Sequence, residues 1–198
     1  PILWHIMKLY SHHGLNEFVI CCGYKGSVLK DYFLKYFAQH GDFTIDLRHN
    51  RVENHRNESE PWRVTLVDTG EKTMTGGRLK RVREYLGDST FCLTYGDGVS
   101  DVDIRDLIAF HHQQGALATV TAVAQPGRWG AIDLSSDRPR AARFREKDLR
   151  DGHMINGGFF VLEPEVVDTI NGDSTSWENE PLARLIDADQ LAVYRHHG

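Results

Sequence analysis

Two hydrophobic periods alternate along this chain, and that alternation constrains its fold more than any other feature. From Ile2 to Tyr10 the residues Ile2, Leu3, Ile6 and Leu9 recur near helical spacing, Gly14 supplies a stop, and Phe18 to Cys22 follows as an apolar strand. Val28, Leu29, Tyr32, Phe33 and Tyr36 mark a second helix after the Gly23 to Gly26 turn, and Phe43 to Leu47 alternates as a short strand. The polar stretch Arg48 to Arg63 is expected to be an exposed excursion, long enough to be functional, before the strand Val64 to Val67. The rhythm continues with a helix over Gly77 to Leu86, a buried strand over Phe91 to Tyr95, a helix over Asp103 to Gln114 and the strand Leu117 to Val123. Beyond Gly127 the predicted strands are Gly130 to Leu134, Ala141 to Arg145 and Gly158 to Leu162, followed by a helix over Trp177 to Ile186 and the strand Gln190 to Tyr194. Such a chain forms an α/β fold whose central sheet is mixed but mostly parallel, with helices on both faces. Sheets of this kind take ligands at the carboxyl ends of their strands.

A length of 198 residues suits one large domain, expected to span residues 1–198. The sequence opens at Pro1 inside an amphipathic run and stops at Gly198 after a strand, so it reads as a fragment. A net charge of −5 removes the global attraction to polyphosphate backbones, so nucleic acid is not an expected partner. No apolar run approaches the roughly 18 residues needed to cross a bilayer, and no membrane partner is expected. The three cysteines form no evident disulfide framework or metal knuckle, which points to a reducing, cytoplasmic setting. Histidines pair at His12-His13, His111-His112 and His196-His197, but adjacent residues do not share a helix face, so solvated or packed histidines are expected rather than a zinc site.

Three segments carry candidate chemistry. In Thr94-Tyr95-Gly96-Asp97-Gly98 a carboxylate leaves the carboxyl end of a buried strand between two glycines that permit close backbone approach. Mg²⁺ favours one or two carboxylates plus phosphates and water, so Asp97 is a sufficient anchor; taken alone, the segment is equally an ordinary Asp-Gly turn. In Thr73-Met74-Thr75-Gly76-Gly77-Arg78 two glycines open a helix whose backbone N–H groups suit a base or phosphate, although a flexible turn before the basic face of Lys80, Arg81 and Arg83 explains it as simply. The third group comprises Arg128-Trp129-Gly130, Arg143 to Lys147 and Met154 to Phe159. It combines glycines, an acid able to accept sugar hydroxyls in Glu146 and a cation for phosphate in Lys147. Singly, Glu146-Lys147 is a surface pair and Asn156-Gly157-Gly158 a turn. Trp62 and Trp177 could stack on a base or sugar, with core packing the simpler role.

Taken together, these segments resemble the sugar-1-phosphate nucleotidylyltransferases, and within them the branch that makes CDP-glucose. The resemblance covers nearly the whole chain. It is carried by Pro1 to Met7, Ile20 to Gly26, Thr65 to Gly70, Met74 to Arg81, Thr94 to Gly98 and Met154 to Leu162. It implies a Rossmann-like nucleotide-binding domain that joins CTP to glucose 1-phosphate and releases pyrophosphate, with Mg²⁺ as cofactor. It places Asp97 on the metal and Thr73, Thr75, Gly76, Gly77, Arg78 and Gly96 around the nucleotide. Gly130, Glu146, Lys147, Asn156 and Gly157 fall on the sugar phosphate, Asp97 and Lys147 being the catalytic pair. It further implies a homo-oligomer that supplies precursors for bacterial surface polysaccharide. Two family elements are not in this sequence: an N-terminal glycine-rich loop with its Arg and Lys, and a C-terminal Asp that completes the metal site. The rivals are a metal-dependent glycosyltransferase, for which Asp101-Val102-Asp103 imitates an Asp-x-Asp motif, and a noncatalytic sugar-nucleotide-binding subunit.

Overall fold

The structure is a computed structural model that describes residues 1–57, 59–124, 131–135, 139–145 and 154–197. The N-terminal part begins with helix α1 (Ile2–His12), strand β1 (Glu17–Cys22) and helix α2 (Gly26–Gln39). Strands β2 (Gly41–Asp46), β3 (Arg51–Asn57) and β4 (Arg63–Asp68) follow. β1 and β4 pair in parallel, from Glu17 opposite Arg63 to Cys22 opposite Asp68. The stretch expected to be a bare excursion contains β3, which pairs antiparallel with β2 as a two-stranded ribbon. Its sequence Arg-Val-Glu-Asn-His-Arg-Asn is almost wholly polar, so it carries no apolar alternation by which a strand is recognised.

The chain then forms helices α3 (Thr75–Arg81) and α4 (Arg83–Leu86), strand β5 (Phe91–Thr94), helix α5 (Ile104–Gln114) and strands β6 (Ala118–Ala124), β7 (Ala131–Leu134), β8 (Ala141–Arg145) and β9 (Met154–Leu162). It ends with helices α6 (Glu165–Asp168) and α7 (Glu180–Asp187) and strand β10 (Leu191–His196). The helix expected over Gly77 to Leu86 is divided at Val82, and the one expected from Trp177 starts at Glu180, with Pro181 at its first turn.

The six-stranded sheet runs β10-β6-β9-β7-β8, and β5 pairs with the same edge of the chain's central strand as β7 does, along its other half. β5, β6, β7 and β10 run one way, β8 and β9 the other. The sheet is mixed as expected, but the reversed β9 sits at its centre, so antiparallel pairs predominate within it. Asn156-Gly157-Gly158, expected as a turn, lies inside β9, where the register with β6 shifts between Val120 and Ala122. Gly158 takes φ +81°, a left-handed conformation suited to glycine at such an irregularity.

Alternation along β9 divides the core in two. Phe160 and Leu162 pack with Leu79, Val166, Val167, Ile170, Trp177, Leu182 and Leu185 from α3, α6, α7 and their connections. Phe159 and Val161 point the other way, onto Ile6 and Tyr10 of α1 and Ile104 and Leu107 of α5. Helices therefore cover both faces. Trp177 is buried in the first layer, and Trp62 packs edge-on against Trp4 and Phe18, so both have the packing role.

Candidate active site

Asp97 follows the carboxyl end of β5, in the exposed run Gly96 to Val99. Among the described residues it makes no hydrogen bond or ion pair, and a side chain placed on Gly96 would meet only open space. An exposed carboxylate beside open backbone at a strand end is the donor set that Mg²⁺ accepts, since that ion keeps waters and phosphates as its other ligands.

The residue before this loop, Tyr95, ties it to the rest of the site. Its hydroxyl donates to Glu178 Oε1 at 2.6 Å and accepts from Asn156 Nδ2 at 3.2 Å, while Asn156 Oδ1 accepts the Gly158 N–H at 2.8 Å. Glu178 Oε2 in turn accepts from Thr75 Oγ1 at 2.8 Å and Ser176 Oγ at 2.6 Å, and Thr75 Oγ1 accepts the Trp177 N–H at 2.9 Å. One half-buried carboxylate thus joins the start of α3, the residue following β5 and the N-terminal half of β9. Burial on its own raises the pKa of Glu178, but the bonds from Ser176, Tyr95 and Thr75 outweigh it and hold the carboxyl below its ordinary value. Burial pushes the Tyr95 phenol up, with the bond to Glu178 adding to the effect and the charge of Asp97 contributing. Tyr95 is therefore a neutral hydroxyl at neutral pH, and Glu178 an anion that accepts three hydrogen bonds from the protein.

The start of α3 is held closely. Gly77 N–H donates to Thr175 O at 3.1 Å and Met74 N–H to Asp173 O at 2.8 Å. A Cβ on Gly77 would lie 2.6 Å from Asp173 Cα and 2.8 Å from Thr73 Cγ2, and one on Gly76 would lie 2.9 Å from Thr175 O. The glycine pair expected to present free N–H groups is needed first for this approach of two backbones, and the Gly77 N–H is already used. Farther along α3, Arg78 Nη1 donates to Thr69 Oγ1 at 2.7 Å and Nη2 to Glu71 O at 3.2 Å, while Thr69 Oγ1 donates to Cys22 O at 2.9 Å. The guanidinium lies so close to Gly23 that a Cβ there would be 2.2 Å from Nη1. α3 thus reaches from the carboxyl ends of β1 and β4, through Arg78, to the carboxyl end of β5, through Thr75, Glu178 and Tyr95.

Thr73, Thr75, Gly76, Gly77, Gly96, Asp97 and Asn156 lie at or beside this network, Arg78 stands at the β1 and β4 ends, and Gly157 lies against Thr121 and Val123 of β6. Gly130, Glu146 and Lys147 lie outside the described residues. Glu178 was missed by sequence reasoning: a helix starting at Trp177 makes it an ordinary first-turn acid, and nothing in its spacing points to residues more than eighty positions away. The Asp-x-Asp alternative finds both its carboxylates engaged elsewhere. Asp103 caps α5 by accepting from the Arg105 and Asp106 N–H groups, and Asp101 Oδ1 bonds His196 Nε2 at 2.8 Å.

Comparison with known proteins agrees with this architecture. The chain is 54% identical over its full length to glucose-1-phosphate cytidylyltransferase of Salmonella typhi, covering 77% of that protein. The HddC protein of Yersinia pseudotuberculosis shares the fold at a TM-score of 0.77 and 18% identity, over 98% of this chain and 76% of its own. A UDP-glucose pyrophosphorylase solved with UDP-glucose does so at 0.73 and 12%, over 100% and 79%. Residues 1–194 match the nucleotidyl transferase family, and the chain belongs to it.

Proposed function

We propose that this chain transfers the cytidylyl group of CTP to α-D-glucose 1-phosphate, giving CDP-glucose and pyrophosphate. The observation that carries this reading is the 54% identity, across the whole chain, to a glucose-1-phosphate cytidylyltransferase. A phosphate oxygen of the sugar phosphate attacks the α-phosphorus of CTP, a P–O bond forms in line with the breaking bond to the β-phosphate oxygen, and pyrophosphate leaves. Such a displacement asks the protein for positioning and charge stabilisation, with no covalent intermediate.

Asp97 is the residue that would hold Mg²⁺, which supplies charge neutralisation on the phosphate oxygens when bound. Thr73, Thr75, Gly76, Gly77, Arg78 and Gly96 are assigned to the nucleotide side. Because the Thr75 hydroxyl and two of the five Arg78 guanidinium N–H groups already bond within the protein, these residues set the shape of that wall, and the further N–H groups of Arg78 are what it would offer a phosphate. Gly130, Glu146, Lys147, Asn156 and Gly157 are assigned to the sugar phosphate, Lys147 offering the cation that the attacking phosphate requires. Pyrophosphate release with each ribonucleoside triphosphate tests the reading, as set out in the Discussion.

Among the described residues no helix is long and apolar enough to cross a membrane. Cys21, Cys22 and Cys92 are free, and burial pushes the Cys21 and Cys92 thiols up to about 11 and about 12, which suits the cytoplasm we assign. The homo-oligomer we assign is supported by the β2–β3 ribbon and its turn, which expose Phe43, Ile45, Leu47 and Val52. Sedimentation of the protein beside an Ile45→Asp variant checks that assignment, dissociation of the variant being expected.

A further inference from the structure

His111, His112 and Glu163 form a cluster at the end of the sheet opposite Asp97. Glu163 follows the carboxyl end of β9, which runs antiparallel to β5, and its Oε1 accepts from Thr90 Oγ1 at 2.8 Å just before β5 begins. His111 sits in the last turn of α5 and is 1% exposed. Its Nε2 lies 3.0 Å from Glu163 Oε1 and its Nδ1 2.8 Å from Thr119 Oγ1 on β6. His112 is exposed, and one donor atom each from His111, His112 and Glu163 lie within 4.8 Å of one another. The adjacent histidines looked like a poor chelate from sequence. Glu163, 52 positions away from His111, supplies what the pair lacks.

We propose that His111 Nε2, Glu163 Oε1 and a ring nitrogen of His112 bind one zinc-class divalent ion, with water completing the tetrahedron. Donors about 2.0–2.1 Å from Zn²⁺ at tetrahedral angles stand about 3.3 Å apart. The 3.0 Å pair of His111 and Glu163 is already close to one edge of that figure, and a side-chain rotation of exposed His112 closes the rest. On binding, the ion takes the place of the contact between Nε2 and Oε1, and the single proton of the neutral His111 ring is carried on Nδ1, so that Nε2 offers its lone pair and no proton is released. In that tautomer His111 Nδ1–H donates to the Thr119 hydroxyl, a bond that holds the ring in place. Thr90 orients the carboxylate in the same way. The ion clips the end of α5 to the strand ends at Thr90, Thr119 and Glu163. This site is independent of the nucleotidyl-transfer chemistry at Asp97.

Titration of the metal-free protein with Co²⁺, read by the visible absorption of the ion, tests the proposal, together with thermal unfolding in Zn²⁺. Saturable 1:1 binding with the intense bands of tetrahedral Co²⁺ is expected, unchanged in Asp97→Asn and lost in both His112→Ala and Glu163→Gln. Because His112 is exposed, His112→Ala should fold as the parent does. Thr119→Ala should weaken binding about 10- to 100-fold while leaving tetrahedral bands at saturation. Zn²⁺ should raise the melting temperature of the parent and not of His112→Ala. Absence of saturable binding, octahedral Co²⁺ spectra, or binding that survives both His112→Ala and Glu163→Gln would overturn it.

Discussion

The Tyr95 hydroxyl donates to the Glu178 carboxylate at 2.6 Å, joining two residues 83 positions apart. Through that bond the Asp97 loop is braced against the start of α3. Tyr95→Phe removes the donor while preserving the ring that meets Phe160 edge-on. The expected result is a kcat about tenfold lower, roughly 1.4 kcal/mol of barrier, with KM for CTP little changed. Steady-state kinetics on the variant check this; a change confined to KM would place Tyr95 in substrate binding instead.

The same carboxylate makes stability sensitive to acid. Hydrogen bonds hold Glu178 below its ordinary value of 4.5, so the folded state binds protons less readily than the unfolded chain. Its contribution is therefore fully present above about pH 4.5 and is lost as the pH falls through the depressed folded value. Urea unfolding from pH 7 down to pH 3 should show a shallower decline for Glu178→Gln than for the parent. At pH 7 the variant should be about 1–2 kcal/mol less stable, the cost of weakening charge-assisted bonds at a half-exposed site.

Gly77→Ala places a methyl group 2.6 Å from Asp173 Cα, a backbone atom that cannot step aside alone. The start of α3 and the 173–177 segment must separate, and a loss of about 1–3 kcal/mol is expected from the denaturation midpoint. Gly87→Ala, where a Cβ meets nothing within 4 Å but φ is +66°, controls for backbone strain without a steric clash.

Gly23→Ala tests Arg78 without touching it. The new Cβ would occupy the place of the guanidinium, which can swing away and release Thr69 Oγ1. Little change in stability but a several-fold rise in KM for CTP is expected, because the wall built by Arg78 shifts while the fold survives. Isothermal unfolding and kinetics on one preparation separate the two effects.

The strands and helices that position the site were legible wherever a core face leaves a period. Phe159 to Leu162 reads as a strand because it is buried and Phe91 to Thr94 because it is half-buried against the core, and Ile104 to Gln114 reads as a helix because one face is buried. β3 was not legible because its sequence is almost wholly polar and Arg51, Val52, Glu53 and His55 are exposed, and the true start of α7 was obscured by Trp177, a core residue lying outside the helix it seemed to begin. The place of Asp97 after a strand end was legible because it follows from local sequence. Glu178 was not, since its role arises only when Thr75, Tyr95 and Ser176 are brought to one carboxylate by the tertiary fold. The glycines of α3 were recognised, but their closest constraint, the backbone of Asp173, lies nearly a hundred residues on.

Pyrophosphate release from CTP, UTP, GTP and ATP with glucose 1-phosphate and Mg²⁺, in the parent and in Asp97→Asn, is the most direct test of the central claim. The account predicts release with CTP and a loss of about a hundredfold or more in the variant, the scale of removing a charge-stabilising group from a transition state. Equal release from another nucleotide, or full activity in Asp97→Asn, would contradict it.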